Sequence, residues 1–550
     1  MPRLTRQRTP QSLYSEWSQS YLGATISIHA LAKPLMKPMY HRAVLNLIKR
    51  QQGIPLTAET MQIYESYLMF KYVADITKAL ILRKLEERAR VEAEAQLVTD
   101  FLVLYDILLD APDEDIRTNA CWVLGQLAVH SSTRPAVVAV QPGARLVALL
   151  GDANVNIVRV VCYAVSHICL DLDGAILVVT AGAPEFLKQL LESHDEDVRK
   201  YACWALGELA VHSSTRVAVV AVQPGARLVA LLGDANVNVV KGACYAVSQI
   251  CRDLDGATVV VTAGAPEFLK QLLESHDEEV QWHACWALGQ LAVHSSTRVA
   301  VVAVQPGAHL VALLSDSNVN IVRGASYAVS HICRDLDGAT VVVTAGAPRV
   351  LKQLLESQDE DVRKSACWAL GYLAFHSSTL ARVVAVRPGA RLIALLSDTN
   401  IKIVKAACYA VSQISQDRDG ATPVVERGAP GFLKQLLESD DEDVRMCACW
   451  ALGHIAFHSS KLRAAVVAVK PCVRLVALVG DDDVNVVTGA CFALANLAPS
   501  RAGARALTEA GALDLVPGLI ESPQVDVQRS MCLLLARLAR HGYNRIPPST

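Results

Sequence analysis

The sequence predicts an all-α protein built as a solenoid of about eleven repeated three-helix units. Tryptophans recur at intervals of 82 residues, and tyrosines fall midway between them; the tryptophans are Trp122, Trp204, Trp286, Trp368 and Trp450, and the tyrosines are Tyr163, Tyr245, Tyr327 and Tyr409. The repeat is therefore about 41 residues long and is duplicated in pairs. A chain of 550 residues is too long for one simple core. Each unit exposes an apolar face that only its neighbour can cover, so the units must stack.

Capping and helix-breaking residues mark three helices in each unit. Ser213, Ser214 and Thr215 offer N-caps for a short first helix, TRVAVVAV, which Pro224 and Gly225 end before the second helix, ARLVALLGD. In the alternate unit, Pro266 stands in the first turn of PEFLKQLLES, where proline is tolerated. The run from Asp195 to Asp197 suits the positive end of a longer third helix, VRKYACWALGELAVH.

The composition narrows the class of protein. The chain has 52 basic and 54 acidic residues and a pI of about 6.7, so it has no overall attraction to nucleic acid or to anionic membranes. No run resembles a membrane-spanning segment. Most of the fifteen cysteines recur beside alanine and an aromatic residue, which indicates buried thiols in a reducing compartment. We therefore expect the cytoplasm or the nucleus, with no metal and no cofactor.

The third helix has two distinct faces. At 100 degrees per residue from Val198, the core face holds Ala202, Ala205, Leu206 and Leu209. The opposite face holds Lys200, Tyr201, Trp204 and Glu208. Between the copies, the core positions are constant and the positions on the opposite face vary.

The run EDVRKYACWALGELA resembles the third helix of the armadillo-repeat family, which includes importin-α, β-catenin and vacuolar and flagellar armadillo proteins. The resemblance covers roughly residues 90 to 540 and implies a right-handed solenoid whose third helices line a concave groove. We expect residues 91–543 to form the repeat array and 544–550 a flexible tail. Residues 1–90 are similar to the leader of fungal armadillo-like proteins, which implies no function, and are expected to form a helical cap.

The groove implied by the resemblance is a series of basic and aromatic side chains. Four residues before each aromatic, six of ten positions are basic, and each would lie one helical turn from the ring. The predicted groove residues are Arg159, Lys200, Trp204, Glu208, Lys241, Tyr245, Trp282, Trp286, Gln290, Arg323, Tyr327, Lys364, Trp368, Lys405 and Tyr409. Several such contacts could hold an extended acidic segment of a partner protein, as the basic groove of β-catenin implies.

Four alternatives stay open from the sequence. The variable face could have drifted without selection, and the basic residues could pair with acids of the neighbouring HDED loops. An importin-α type of nuclear-import adaptor needs asparagines four residues after the aromatics, where only Asn496 matches, and an acidic groove. A nucleic-acid-binding solenoid would suit the basic and aromatic residues, but the near-neutral charge and Glu208 weaken that reading.

An enzyme is not indicated. The recurring HSS resembles a nucleophile and base, but its fixed period marks a structural corner. No glycine-rich phosphate loop is present. We therefore expect a non-enzymatic scaffold that binds protein segments and no small-molecule substrate.

Overall fold

The computed structural model describes residues 108–543 together with Leu102 and Tyr105. Within this part every regular element is helical and no strand occurs. The predicted N-terminal cap over residues 1–90 and the predicted tail over 544–550 lie outside the described residues. Chain contacts define two compact units, one ending at Ile250 and the other beginning at Cys251.

The first unit contains the helices in the order that the sequence predicts. Its third helices are Glu114–Val129, Val155–Ile168, Glu196–Val211 and Val237–Ile250. Its first helices are Arg134–Ala139, Leu172–Thr180 and Ser213–Ala221. Its second helices are Gly143–Leu149, Ala183–Leu190 and Gly225–Leu231.

The second unit continues the same alternation. Its third helices are Glu278–Val293, Val319–Ile332, Glu360–Phe375, Ile401–Ile414, Glu442–His458, Val484–Leu497 and Val525–Ala539. Its first helices are Leu254–Thr262, Ser295–Ala303, Leu336–Thr344, Ser377–Ala385, Arg418–Glu426, Ser460–Ala468 and Arg501–Glu509. Its second helices are Ala265–Leu272, Gly307–Leu313, Ala347–Leu354, Gly389–Leu395, Ala429–Leu436, Cys472–Ala477 with the 3₁₀ turn Leu478–Gly480, and Val516–Ile520. These units confirm the predicted α-solenoid.

Acidic side chains begin the tryptophan-bearing third helices, as the sequence predicts. Asp195 is the N-cap of Glu196–Val211, and its carboxylate accepts a hydrogen bond from the Val198 amide at 2.9 Å. Glu196 and Asp197 follow in the first turn, where negative charge is favourable. Asp359 and Asp441 cap the corresponding helices of the second unit in the same way.

The HSS corner is built differently from the expected serine cap. His212 is the N-cap of the following helix, which begins at Ser213 itself, and no side chain caps it. The Thr215 hydroxyl donates instead to the Leu209 carbonyl at 2.6 Å and so satisfies the end of the preceding third helix. Ser459 is an exception, because its side chain accepts from the Leu462 amide. An extra residue in that copy gives the serine the extended backbone that a cap requires.

Small and branched apolar side chains form the core. Ala202, Ala205, Leu206 and Leu209 are fully buried, as the helical projection predicts. The cysteines are all free thiols, and all except Cys532 are buried. Burial raises the pKa of the Cys121 and Cys491 thiols to about 12, so these side chains pack as small apolar groups.

Candidate peptide-binding surface

All fifteen predicted groove residues lie on third helices, opposite the buried face. Fourteen of them are half-buried, and Gln290 is buried with 8% exposure. We call one set of third-helix rings the aromatic stripe of each unit: Tyr163, Trp204 and Tyr245 in the first, and Trp286, Tyr327, Trp368 and Tyr409 in the second. Tyr163 is added to the predicted residues, and the predicted Trp282 lies one turn before Trp286, outside the stripe. A third helix therefore keeps large aromatic surface accessible while its other face is fully enclosed.

Rings of paired third helices contact each other within each stripe, one pair stacked and two tilted. The Trp286 and Tyr327 rings lie 4.5 Å apart between centroids, with an interplanar angle of 18°. Trp204 and Tyr245 are 4.7 Å apart, and Trp368 and Tyr409 are 5.2 Å apart. Such contacts contribute about 0.5–1.5 kcal/mol each beyond the area that they bury. The stripe is consequently preorganised before any partner binds.

The glycine of each ALG motif makes this stacking possible, a role that the sequence reasoning missed. A Cβ atom added to Gly289 would lie 2.4 Å from Cδ1 of Tyr327. The same close approach joins Gly207 to Tyr245 and Gly371 to Tyr409. The recurring pair of a glycine and a tyrosine 38 residues later was the available signal. The tyrosine ring covers the backbone of the preceding third helix because no side chain intervenes.

The basic residues beside the stripe are paired with acids at the starts of third helices. Arg159 contacts Asp195 at 2.5 Å, and Arg323 contacts Asp359 at the same distance. Lys200 contacts Asp197 at 2.6 Å. Lys364 pairs with Asp361, and Lys405 pairs with Asp441 and Asp443. The alternative of salt bridging to the HDED loops is thus present in the structure, and the stripe is flanked by mixed charge.

The acidic partners are held independently of the basic ones. Asp195 accepts from the Val198 amide as well as from Arg159, and Asp359 accepts from the Val362 amide as well as from Arg323. The hydrogen bond from Arg159 lowers the pKa of Asp195, and the backbone amide lowers it further. An arginine that turned to a ligand would therefore leave a carboxylate still compensated by a helix N-terminus.

A second set of arginines caps the C-terminal ends of third helices. Arg134 donates from Nε to the Ala128 carbonyl at 2.7 Å and from Nη2 to the Val129 carbonyl. Arg216 and Arg298 make the same contacts in their own repeats. The sequence reasoning missed these residues, although the R of HSSTR recurs at a fixed place. They place guanidinium groups at the C-terminal ends of the third helices, whereas the aspartate caps lie at the N-terminal ends.

Half-buried histidines lie four residues after some of the aromatics. Burial lowers the pKa of His167, His331 and His454 to about 4, and nearby charges of Arg134, of Arg334 with Arg298, and of His458 lower it further. Their ordinary value is 6.5. The unfolded chain therefore binds more protons than the folded chain between about pH 6.5 and pH 4, and stability is lost as the pH falls through this window.

We expect replacement of these histidines by glutamine to reduce the sensitivity to acid. Glutamine already stands at the same position in other repeats, as Gln126, Gln249, Gln290 and Gln413. The combined variant His167→Gln, His331→Gln and His454→Gln should show a smaller fall in melting temperature between pH 7 and pH 4.5 than the wild type. The exposed His276→Gln serves as a control and should follow the wild type. An unchanged pH dependence in the triple variant would show that the buried imidazoles are not the cause.

The described residues contain no group of three or more histidine, cysteine or acidic side chains able to hold a metal ion. None of the helices in the described part of the chain is long and apolar enough to cross a bilayer.

Comparisons with known proteins agree with the repeat architecture. Residues 173–211, 255–293 and 337–375 match the armadillo/beta-catenin-like repeat family, and residues 430–459 match the HEAT repeat family. A crystal structure of an engineered protein is 26% identical, covers 80% of this chain and 98% of its own, and has a TM-score of 0.62. A second engineered protein is 27% identical, covers 43% of this chain and 97% of its own, and has a TM-score of 0.41. No curated protein matches the sequence.

Proposed function

We propose that this armadillo-type repeat protein is a non-enzymatic scaffold that binds an extended, acidic segment of a partner protein on the aromatic stripes of its third helices. Solenoids of armadillo and HEAT repeats are typical of protein-interaction scaffolds. The observation that carries the proposal is the stacking of half-exposed rings on successive third helices, with basic side chains one turn away.

The geometry suits an extended segment. Packed helices lie about 8–10 Å apart, and an extended chain rises about 3.3 Å per residue. One side chain in every three of such a segment would therefore meet each successive third helix. Rigid rings also offer contact area at little conformational cost.

Two features of the ion pairs beside the stripe support an acidic partner: the pairs are weak, and their aspartates are also bonded to helix N-termini. Partly exposed ion pairs such as Arg159 with Asp195 contribute only about 1 kcal/mol, so a partner carboxylate can replace the internal one. The aspartate that is released keeps its bond to a helix N-terminus. A nucleic acid gains much of its affinity from an excess of basic residues, and the near-neutral net charge of this chain favours a protein partner instead.

A matched set of lysine variants tests the proposal. The stripe variant combines Lys200→Met, Lys364→Met and Lys405→Met. The control combines Lys188→Met, Lys270→Met and Lys434→Met, which removes the same charge from second helices. The probes are three twelve-residue chains, namely a peptide with an acidic residue at every third position, its lysine counterpart and a mixed-sequence single-stranded DNA.

We expect the acidic peptide to bind the wild type and the control equally, and the stripe variant about tenfold or more weakly, as measured by fluorescence anisotropy. The melting temperature should change little, because the ion pairs that are lost are partly exposed and contribute only about 1 kcal/mol each. Equal weakening in both lysine variants would show that binding depends on the overall charge and not on the position of the lysines. Preferential binding of the lysine peptide or of the DNA would contradict the proposed partner class.

A further inference from the structure

One group of six positions occurs twice in the structure, once in each unit and four repeats apart. In the first unit the group is Arg134, Tyr163, His167, Leu170, Glu208 and Tyr245. In the second unit it is Arg298, Tyr327, His331, Arg334, Tyr372 and Tyr409. Four positions keep the same residue. The two that differ are leucine against arginine and glutamate against tyrosine.

The first unit supplies its own carboxylate to this group. Glu208 is half-buried and accepts a hydrogen bond from the Tyr245 hydroxyl at 2.9 Å. Burial raises the pKa of Glu208, while the Tyr245 hydrogen bond and the charge of Arg134 oppose that rise and favour the carboxylate. The non-polar Leu170 stands where the second unit has an arginine. The first unit therefore shows that a tyrosine hydroxyl and a nearby arginine can hold a carboxylate at this place in the repeat.

The second unit has the same framework without an acid. Arg298 caps its third helix as Arg134 does, with Nε to the Ala292 carbonyl at 2.7 Å and Nη2 to the Val293 carbonyl at 3.0 Å. Arg134 makes its own bonds at 2.7 and 3.0 Å, so the two guanidinium groups are held alike. Tyr372 occupies the glutamate position and brings a ring and a hydroxyl group in place of a carboxylate.

Cationic and hydroxyl groups in the second unit are left without an acidic partner. The Arg334 guanidinium is exposed and lies over the Tyr372 ring, 5.4 Å from its centroid. Among the described residues, neither Arg298 nor Arg334 forms an ion pair, and the Tyr409 hydroxyl has no hydrogen-bond partner. The nearest acid along the chain, Asp335, acts on Arg298 only through its charge and forms no ion pair with it. Its carboxylate caps a helix and accepts from the Asp337 amide at 2.9 Å.

We propose that Arg298, Arg334 and the Tyr409 hydroxyl form a binding site for the carboxylate of a glutamate side chain from the partner segment. The site rests on the proposed function, because it selects one residue of the segment that the second unit would bind. Glu208 serves as the internal template for that carboxylate. Tyr372 provides a flat surface for the methylene groups of the glutamate, and hydrogen bonds to charged groups supply the specificity.

Two substitutions copy the first unit into the second and test the site. Tyr372→Glu introduces the residue found at 208, and its carboxylate should occupy the site from within. Arg334→Leu introduces the residue found at 170. Because both residues already stand at these positions in a folded repeat, we expect circular dichroism and melting temperature to stay near those of the wild type. Tyr372→Gln is the uncharged control for Tyr372→Glu.

The probe is an eight-residue oligoglutamate labelled with fluorescein, added to the full chain at low ionic strength. Binding should weaken about tenfold or more in Tyr372→Glu and in Arg334→Leu. Tyr372→Gln loses the ring but adds no charge, so it should weaken binding clearly less than Tyr372→Glu does. The reverse variant, Leu170→Arg with Glu208→Tyr, should gain a second oligoglutamate site, seen as a higher stoichiometry by calorimetry.

Each contrary result has a definite meaning. Wild-type affinity in both Tyr372→Glu and Arg334→Leu would overturn the site, and the scaffold proposal would stand if the spaced acidic peptide still depended on the stripe lysines. Failure of the spaced acidic peptide itself would instead remove the scaffold proposal. Displacement of the probe by inorganic phosphate at much lower concentration than by acetate would overturn the carboxylate assignment in favour of a phosphoryl group.

Discussion

Gly289→Ala is expected to lower the free energy of unfolding by about 2–3 kcal/mol, a large effect for one methyl group. The new Cβ would lie 2.4 Å from Cδ1 and 2.8 Å from Cε1 of Tyr327, and 3.2 Å from the Ala328 backbone. Tyr327 cannot move aside freely, because it stacks on Trp286 and contacts His331 edge-on. The two third helices must therefore separate.

Urea unfolding and hydrogen exchange measure this effect. Exchange should increase first in Glu278–Val293 and Val319–Ile332, because neighbouring repeats depend on each other only through their shared interfaces. Tyr327→Ala in the same background should recover part of the loss, since it removes the ring that the methyl group strikes.

Gly431→Ala is the matched control, and its effect should have the opposite sign. Gly431 lies inside the helix Ala429–Leu436, and an added Cβ would meet nothing within 4 Å. Alanine should therefore stabilise by about 0.5–1 kcal/mol through its better helix propensity. A similar decrease in the free energy of unfolding for both substitutions would mean that the contact with Tyr327 is not the reason why alanine is unfavourable at position 289.

Arg445→Ala is expected to cost about 1–3 kcal/mol, because it leaves the half-buried Asp481 carboxylate without its two-bond guanidinium partner. Arg445 contacts Asp481 through Nε at 2.9 Å and through Nη2 at 3.0 Å, and Asp481 is only 9% exposed. Its Nη1 also donates to the carbonyls of Ser439 and Asp440, at the end of the preceding loop. One guanidinium group thus joins two repeats.

Arg445→Gln should be milder, since the chain itself uses glutamine there in another repeat. Gln281 stands at the equivalent position and donates to the Leu273 carbonyl at 3.2 Å. Chemical unfolding at pH 7 should rank the wild type above Arg445→Gln, and Arg445→Ala lowest. Equal stability of the alanine variant and the wild type would contradict a stabilising role for the pair.

The same pair adds a contribution that depends on pH. The hydrogen bond from Arg445 lowers the pKa of Asp481 below its ordinary value of 3.8. This stabilisation is complete above about pH 4 and is lost as the pH falls through the lowered pKa. Arg445→Ala should therefore show a flatter loss of stability below pH 4 than the wild type.

Helical periodicity was enough to predict the architecture and the faces of the third helices. Burial of Ala202 and Leu206, with Trp204 on the opposite side, follows from 100 degrees per residue alone. The eleven repeats that the sequence predicts correspond to eleven third helices in the described part of the chain. The caps at Asp195 and its equivalents also follow from local sequence.

Contacts between repeats could not be predicted from the local sequence. Arg159 pairs with an aspartate 36 residues later, and which of several nearby acids it meets depends on how adjacent helices pack. The Ser213 cap was wrong because the threonine two residues later reaches back to the preceding helix and leaves the corner residue His212 at the cap position. Whether the fifteen groove residues bind a partner stays a prediction.

The distribution of thiols allows the opening of individual repeats to be followed by chemical labelling. Fourteen cysteines are buried and spread over nearly every repeat, whereas Cys532 is exposed on the last third helix. The folded chain should therefore react with a thiol reagent at one position, and each repeat that opens would add its own cysteine to the modified set. Mass spectrometry of pulse-labelled protein would then identify which repeats open, and in what order, from the masses of their peptides.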